Sequence, residues 1–143
     1  MIEISLFNYV SPIVVGTIFI LLTGLIPEDR RRSFHSVVAA AASGTYLGGE
    51  LGKLEPIFMV VMAASAFFGI NNWKLVGLAW FLHGAVDLVH HSINSPLLFW
   101  YIPSSFECFI VDWYFAIYFL LDAPNLTARL INQDVGNNPS HPD

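Results

Sequence analysis

Residues Ile4–Pro27, ISLFNYVSPIVVGTIFILLTGLIP, form an apolar stretch without a single Lys, Arg, Asp or Glu. An α-helix needs about 20 apolar residues to cross the roughly 30 Å hydrocarbon core of a bilayer. The stretch therefore predicts a first membrane span over 4–27. Cleavable signal peptides begin with a basic segment, whereas Met1-Ile2-Glu3 is acidic, so we expect the stretch to remain in the mature protein.

The rest of the chain has a similar composition. Of its 143 residues, 55% are hydrophobic and 12% are charged, whereas soluble domains average about 45–50% apolar and about 25% charged residues. Four further apolar segments predict spans over about 33–52, 56–73, 74–91 and 104–121. The sequence thus predicts an all-α fold, a polytopic transmembrane helix bundle of about five spans within 1–122. The polar tail, 123–143, is rich in Asn, Pro, Asp and Ser, which predicts disorder.

The breaks between these segments have different characters. The charged run Glu28–Arg32 predicts a loop at the lipid headgroups, and Asn71-Asn72 predicts a turn. Pro56 is well placed for the start of the third helix. The second segment, 33–52, is rich in Ala, Ser and Gly, the small residues that allow helices in lipid to approach closely. We therefore expect it in the middle of the bundle.

The basic residues predict an orientation, because Lys and Arg in short loops prefer the cytoplasmic side. With the first loop inside, Lys53 is the one basic residue outside, against five inside: Arg30, Arg31, Arg32, Lys74 and Arg129. We expect a plasma membrane (cell inner membrane) protein with its N-terminus outside and its C-terminus in the cytoplasm. The net charge of -5 leaves no basic surface for nucleic acid. The expected partners are the lipid bilayer and a second copy of the chain or another membrane protein.

Ionisable residues fall at one predicted depth. His83, Asp87 and His90 follow one another at i, i+4 and i+7, so they share one face of the fourth helix. Under the predicted topology, Glu50 and Asp112 lie in the same outer layer on the second and fifth helices. Ionisable groups are costly in lipid and usually face the bundle interior. These residues therefore predict a polar pocket that opens to the outer side.

The acids of this layer need neutralisation. Four of them, Glu50, Asp87, Glu107 and Asp112, are accompanied only by Lys53 as a permanent cation. Shared protons, protonated histidines or a divalent metal would each restore the balance. Imidazoles with carboxylates suit zinc, iron or manganese, which makes candidate metal ligands of His83, Asp87, His90, Glu50 and Asp112. Glu107 points about 140° away from Asp112 around the helix, so we favour Asp112 for the pocket.

Three functional hypotheses follow from this pattern. The first is a metal site for hydrolysis or oxidation of a lipid-like substrate. The second is a non-catalytic membrane subunit or oligomer-forming protein with a structural polar cluster. The third is a small transporter or proton path, which the stretch 75–82 disfavours because it brings no ionisable residue to the inner half of the fourth helix.

Several single residues also have a structural interpretation. Glu50 and Lys53 have the i, i+3 spacing of a surface ion pair. His35 is expected at the membrane interface beside Arg32. Cys108, the one cysteine of the chain, is expected to act as a small apolar residue.

The string HGAVDLVHH, His83–His91, resembles a group of small bacterial membrane proteins of about this length whose function is unknown. The resemblance extends over most of the chain and implies a membrane helix bundle, but it implies no activity. The histidine spacing is also superficially similar to the histidine boxes of membrane desaturases and hydroxylases, which use more histidines than the five present here. A metal-dependent lipid amidase superfamily uses His, Asp and Ser as well, but it has more spans.

Overall fold

The computed structural model describes residues 4–46, 51–98 and 100–136. Within these ranges the chain forms six α-helices: α1 (Leu6–Thr23), α2 (Glu28–Ala42), α3 (Leu54–Gly69), α4 (Trp73–Ser92), α5 (Ser104–Leu120) and α6 (Leu126–Gly136). A short 3-10 helix, Ser43–Tyr46, continues α2. The described ranges contain no β-strand and one isolated bridge, between Leu98 and Tyr101. The predicted all-α class is thereby confirmed for this part of the chain.

Helix α4 occupies the centre of the bundle, a position that the sequence assigned to the second segment. It packs against α5, α3 and α2, while α1 covers the other side of α5 and α6 packs on α1. Two glycines allow α5 to approach α4 closely. A Cβ atom on Gly84 would lie 2.3 Å from Trp113 Cδ1, and one on Gly77 would lie 2.9 Å from Leu120 Cγ. The α4–α5 contact therefore requires residues without side chains.

Length and apolar composition together qualify one of the described helices, α1, to cross a membrane. Helix α3 is apolar but has 16 residues, and α5 has 17. Helix α4 has 20 residues but includes Lys74, Asp87 and three histidines. The polytopic arrangement of about five spans therefore stays a prediction.

The second helix differs from the prediction at both ends. It begins at Glu28, so the charged run is the first part of a helix and not a loop. Pro27 precedes it with φ -52°, a value close to helical, and the acids Glu28 and Asp29 lie near the positive end of the helix dipole. The helix ends at Ala42, well before residue 52. Gly52, in the turn before α3, has a left-handed backbone with φ 61°, which suits glycine. Residues 47–50, with the candidate ligand Glu50, lie outside the described residues.

Helix α6 lies within the tail for which the sequence predicted disorder. Asn125 caps this helix, because its Oδ1 accepts a hydrogen bond from the backbone N–H of Ala128 at 3.0 Å. Its Nδ2 donates to the Gly24 carbonyl, and Thr127 Oγ1 donates to the Leu21 carbonyl at 2.6 Å. Composition does not indicate the two bonds to Gly24 and Leu21, which join α6 to the end of α1 across about a hundred residues of chain. Residues 137–143 lie outside the described residues.

The close α4–α5 contact can be tested with Gly84→Ala. The added Cβ would overlap Trp113, and overpacking of this kind typically costs about 1–3 kcal/mol. We expect a lower free energy of unfolding in detergent, measured by denaturant titration. Gly44→Ala is the matched control, since a Cβ there meets nothing within 4 Å. Equal stability of the two variants would contradict the packing described.

Candidate functional site

Three ionisable residues of α4 face the bundle interior, as their spacing predicts. His83, Asp87 and His90 are each at least 98% buried. The ring of Tyr46, at the end of the 3-10 helix, packs beside both histidines, with centroid distances of 5.3 Å to His83 and 5.8 Å to His90. Tyr46 thus fixes the position of this face of α4.

Tyr46 is also the centre of a hydrogen-bond network. Its hydroxyl donates to Asp87 Oδ1. The hydroxyl oxygen of Tyr46 also lies 3.2 Å from Nδ1 of His83. The sequence analysis overlooked Tyr46, although it follows Ser43 by three residues and so shares a helix face with it. Together with Ser43, His83, Asp87 and Asp112, it forms what we call the polar core.

His83 has partners on both sides of its ring. Nε2 lies 3.2 Å from Ser43 Oγ and 3.3 Å from the Ala39 carbonyl oxygen. The Ser43 hydroxyl donates to the Ala39 carbonyl at 3.1 Å. A neutral His83 ring with its proton on Nδ1 donates there to Tyr46, and it accepts at Nε2 from Ser43 when that hydroxyl turns away from the Ala39 carbonyl. A protonated ring donates at Nε2 to the Ala39 carbonyl and keeps its bond to Tyr46. Both protonation states of His83 therefore find hydrogen-bond partners.

The carboxyl groups of Asp87 and Asp112 meet between α4 and α5. They lie beside each other, and both side chains are buried. Because two ionised carboxylates have no proton to donate, a hydrogen bond between them would require one proton held by the pair. Gly84 makes the approach possible, since even a Cβ atom there would lie 3.3 Å from Asp112 Cβ.

Glu107 belongs to a separate cluster, in line with its predicted direction on α5. Its Oε1 accepts hydrogen bonds from Asn8 Nδ2 at 2.8 Å and from the Tyr101 hydroxyl at 2.6 Å. The bond to this carboxylate raises the pKa of Tyr101. Cys108 lies nearby on the α5 wall of an apolar groove against α1. These residues join α1 to α5 and leave Asp112 as the α5 acid of the polar core.

His90 pairs with Glu55, an acid that the predicted spans 33–52 and 56–73 leave between two helices. Glu55 lies in the first turn of α3 and is 1% exposed. Its Oε1 is 3.2 Å from His90 Nε2, an ion-pair distance, but the ring is not aimed for a hydrogen bond at that nitrogen. Nδ1 of His90 lies 3.2 Å from Ser95 Oγ. The pair extends the buried polar residues beyond the polar core.

Four of the five candidate metal ligands lie within the described residues, and the structure divides these four between two places. His83, Asp87 and Asp112 come together around Tyr46, whereas His90 pairs with Glu55, and Glu50 lies outside the described residues. Across residues 4–46, 51–98 and 100–136, no group of three or more His, Cys, Asp or Glu is arranged to hold a metal ion. The geometry in this part of the chain is that of a hydrogen-bond network.

His35 is a correction to the interfacial position expected from sequence. It is 1% exposed, and aromatic rings surround it: Phe19, Phe34, Trp73 and Phe119. The reason is the early start of α2, which places His35 two turns inside the helix. Arg31 is buried on the same helix, and its guanidinium donates to Glu28 at 2.6 Å and to the Ala123 carbonyl at 3.0 Å.

Comparisons with known proteins place these residues in a family. Residues 7–125 match the model of a family of unknown function, DUF6010. The match runs from the start of α1 to the turn before α6, so it includes the whole polar core. No curated protein and no solved structure matches the chain. The chain thus belongs to the DUF6010 family of unknown function.

Proposed function

We propose that the chain is a small polytopic membrane protein that binds and exchanges protons at its polar core. The observation that carries this proposal is the series of hydrogen-bonded groups from Ser43 through His83 and Tyr46 to Asp87, with the carboxyl group of Asp112 beside that of Asp87. Every member of the series is buried, and each can donate or accept a proton in at least one of its states.

The distribution of side chains supports the membrane setting. Large apolar residues cover the outward faces of α1 and α3, where Ile18, Leu22, Val60 and Phe67 are each more than half exposed. His83, Asp87 and His90 on α4 are buried instead. In water such exposed apolar faces are costly, whereas in lipid the apolar residues face outward and the ionisable groups face the bundle interior.

Proton exchange follows from the order of the groups. A proton that reaches Nε2 of His83 allows the Nδ1 proton to pass to Tyr46, and Tyr46 passes its own hydroxyl proton to Asp87. Each transfer breaks one N–H or O–H bond and forms another, so the network moves one proton without any other chemical change. The carboxyl pair can accept that proton, because a pair that shares one proton still has one ionised carboxylate, and the arriving proton forms an O–H bond there.

Two observations favour proton exchange over the other hypotheses. A purely structural cluster needs partners for one protonation state, whereas His83 has partners in both. The grooves between α1 and α5 and between α3 and α4, with volumes of about 400 and 310 Å³, are lined by residues outside the polar core. A lipid-like substrate in either groove would therefore not touch the network.

The proposed topology predicts a pattern of chemical labelling. In a Cys108→Ser background, we expect Lys53→Cys to react with a membrane-impermeant maleimide on intact cells. Gln133→Cys, on α6, should react only after the cells are made permeable, because it lies on the cytoplasmic side. Both positions are exposed. Recovery of the protein in the soluble fraction, or labelling of both cysteines on intact cells, would contradict the proposed arrangement.

The shared proton predicts an infrared signature at neutral pH. We expect the absorption band of a protonated carboxyl group, altered in Asp87→Asn and in Asp112→Asn and lost in the double variant. Because the proton exchanges, the band should shift within minutes of transfer into deuterium oxide. Glu107→Gln is the matched control, since this acid lies outside the polar core, and it should leave the band unchanged.

This experiment separates exchange from a static role. A band that responds to both Asp variants but never shifts in deuterium oxide would mean a structural proton. The absence of any band sensitive to these variants would contradict the shared proton itself.

A further inference from the structure

The inner half of the bundle holds buried polar residues that the polar core does not use. The stretch 75–82, in the predicted inner half of the fourth helix, contains no ionisable residue. Helix α2 supplies them instead: Arg31, His35 and Ser36 are each at least 98% buried. They precede Ser43 along the same buried side of the α2 segment, so they extend from the polar core toward the start of α2.

These residues have polar atoms without hydrogen-bond partners. The unpartnered atoms are Arg31 Nε and Nη1, both ring nitrogens of His35 and Ser36 Oγ, and Trp80 Nε1 on α4 has no partner either. An unsatisfied buried polar group is destabilising, and the large majority of buried polar groups in proteins are bonded to protein or ordered water. Several in a row along one helix therefore need a common partner, and internal water is the one that proteins use.

We propose that a file of internal water along α2 joins His35 to the polar core, so that protons can cross the whole bundle. The inference rests on the proton exchange proposed above. It adds the inner half of the route and makes the protein a transmembrane proton path.

The distances suit a short file of water. His35 and Ser43 are eight residues apart on the α2 segment, a rise of about 12 Å, and hydrogen-bonded oxygens lie about 2.7–2.8 Å apart. The Ala39 carbonyl lies one turn beyond His35 and is within reach of His83 Nε2. Trp80, with its unpartnered Nε1, contacts the His83 ring at a centroid distance of 5.6 Å. Water thus has polar groups beside it at both ends and between them.

The inner end of the route leads to solvent. Arg31 bonds to Glu28, whose side chain is 66% exposed. The carboxylate offsets the charge of Arg31, which would otherwise repel protons at the entrance. Arg32 donates to the Ile70 carbonyl at 2.9 Å instead of entering the route. Glu28 is therefore the group through which the cytoplasmic side would reach His35.

Proton flux in reconstituted vesicles tests the inference. The full chain is inserted into liposomes, a potassium diffusion potential is imposed, and a trapped dye reports the internal pH. We expect faster pH change than in empty liposomes, at least a tenfold loss in His35→Phe, and a smaller loss in Ser36→Ala. Phenylalanine suits the aromatic surroundings of His35. Ser65→Ala is the matched control, because Ser65 Oγ bonds within α3 to the Val61 carbonyl, and it should leave the flux unchanged.

The outcomes distinguish the two proposals. If the carboxyl band shifts in deuterium oxide but wild-type vesicles show no flux, the transmembrane route is overturned while exchange at the polar core stands. If flux persists in both His35→Phe and Ser36→Ala, the route along α2 is wrong. If the band does not shift at all, exchange itself fails. Should His35→Phe not fold, the flux of Ser36→Ala decides.

Discussion

Asp87 and Asp112 come from different helices, yet their carboxyl groups lie beside each other inside the bundle. The rest of the arrangement depends on this contact. It requires α4 and α5 to lie closer than a Cβ on Gly84 would allow. The proposed shared proton would stabilise it, because two bare carboxylates in close contact repel each other at low dielectric. The contact also requires Tyr46, whose hydroxyl donates to Asp87 and so satisfies one of the remaining acceptors.

The contact between Asp87 and Asp112 explains how the polar residues are distributed between the helices. Asp112 turns toward α4 and joins the network, whereas Glu107, five residues earlier on α5, turns toward α1 and pairs with Asn8 and Tyr101. The network continues through His83 to Ser43, at the junction of α2 and the 3-10 helix. Before Ser43 on the same helix segment, Arg31, His35 and Ser36 are buried as well.

Much of this arrangement was predictable from sequence. Helical spacing placed His83, Asp87 and His90 on one face, and the angle between Glu107 and Asp112 separated the two α5 acids. The lengths of the apolar segments predicted the all-α fold class. These inferences needed only the period of an α-helix and the cost of a buried charge.

The remainder depended on contacts that spacing does not encode. Tyr46 lies in the predicted second helix and Glu55 in the break after it, but spacing alone does not show that either side chain contacts the polar face of α4. His35 appeared interfacial because the charged run hid the start of α2, and only the three-dimensional packing revealed its aromatic surroundings. Helix α6 depends on hydrogen bonds to the end of α1, about a hundred residues away in the chain. The polar composition of this segment predicted a disordered tail.

The most direct test is a solid-state NMR measurement of the separation between the Asp87 and Asp112 carboxyl carbons in protein labelled at aspartate. The account predicts a strong carbon–carbon dipolar contact, consistent with hydrogen-bonded oxygens about 2.5–2.7 Å apart, and its loss when either residue is replaced by alanine. Carboxyl carbons separated by about 10 Å or more, far beyond hydrogen-bond reach, would contradict it.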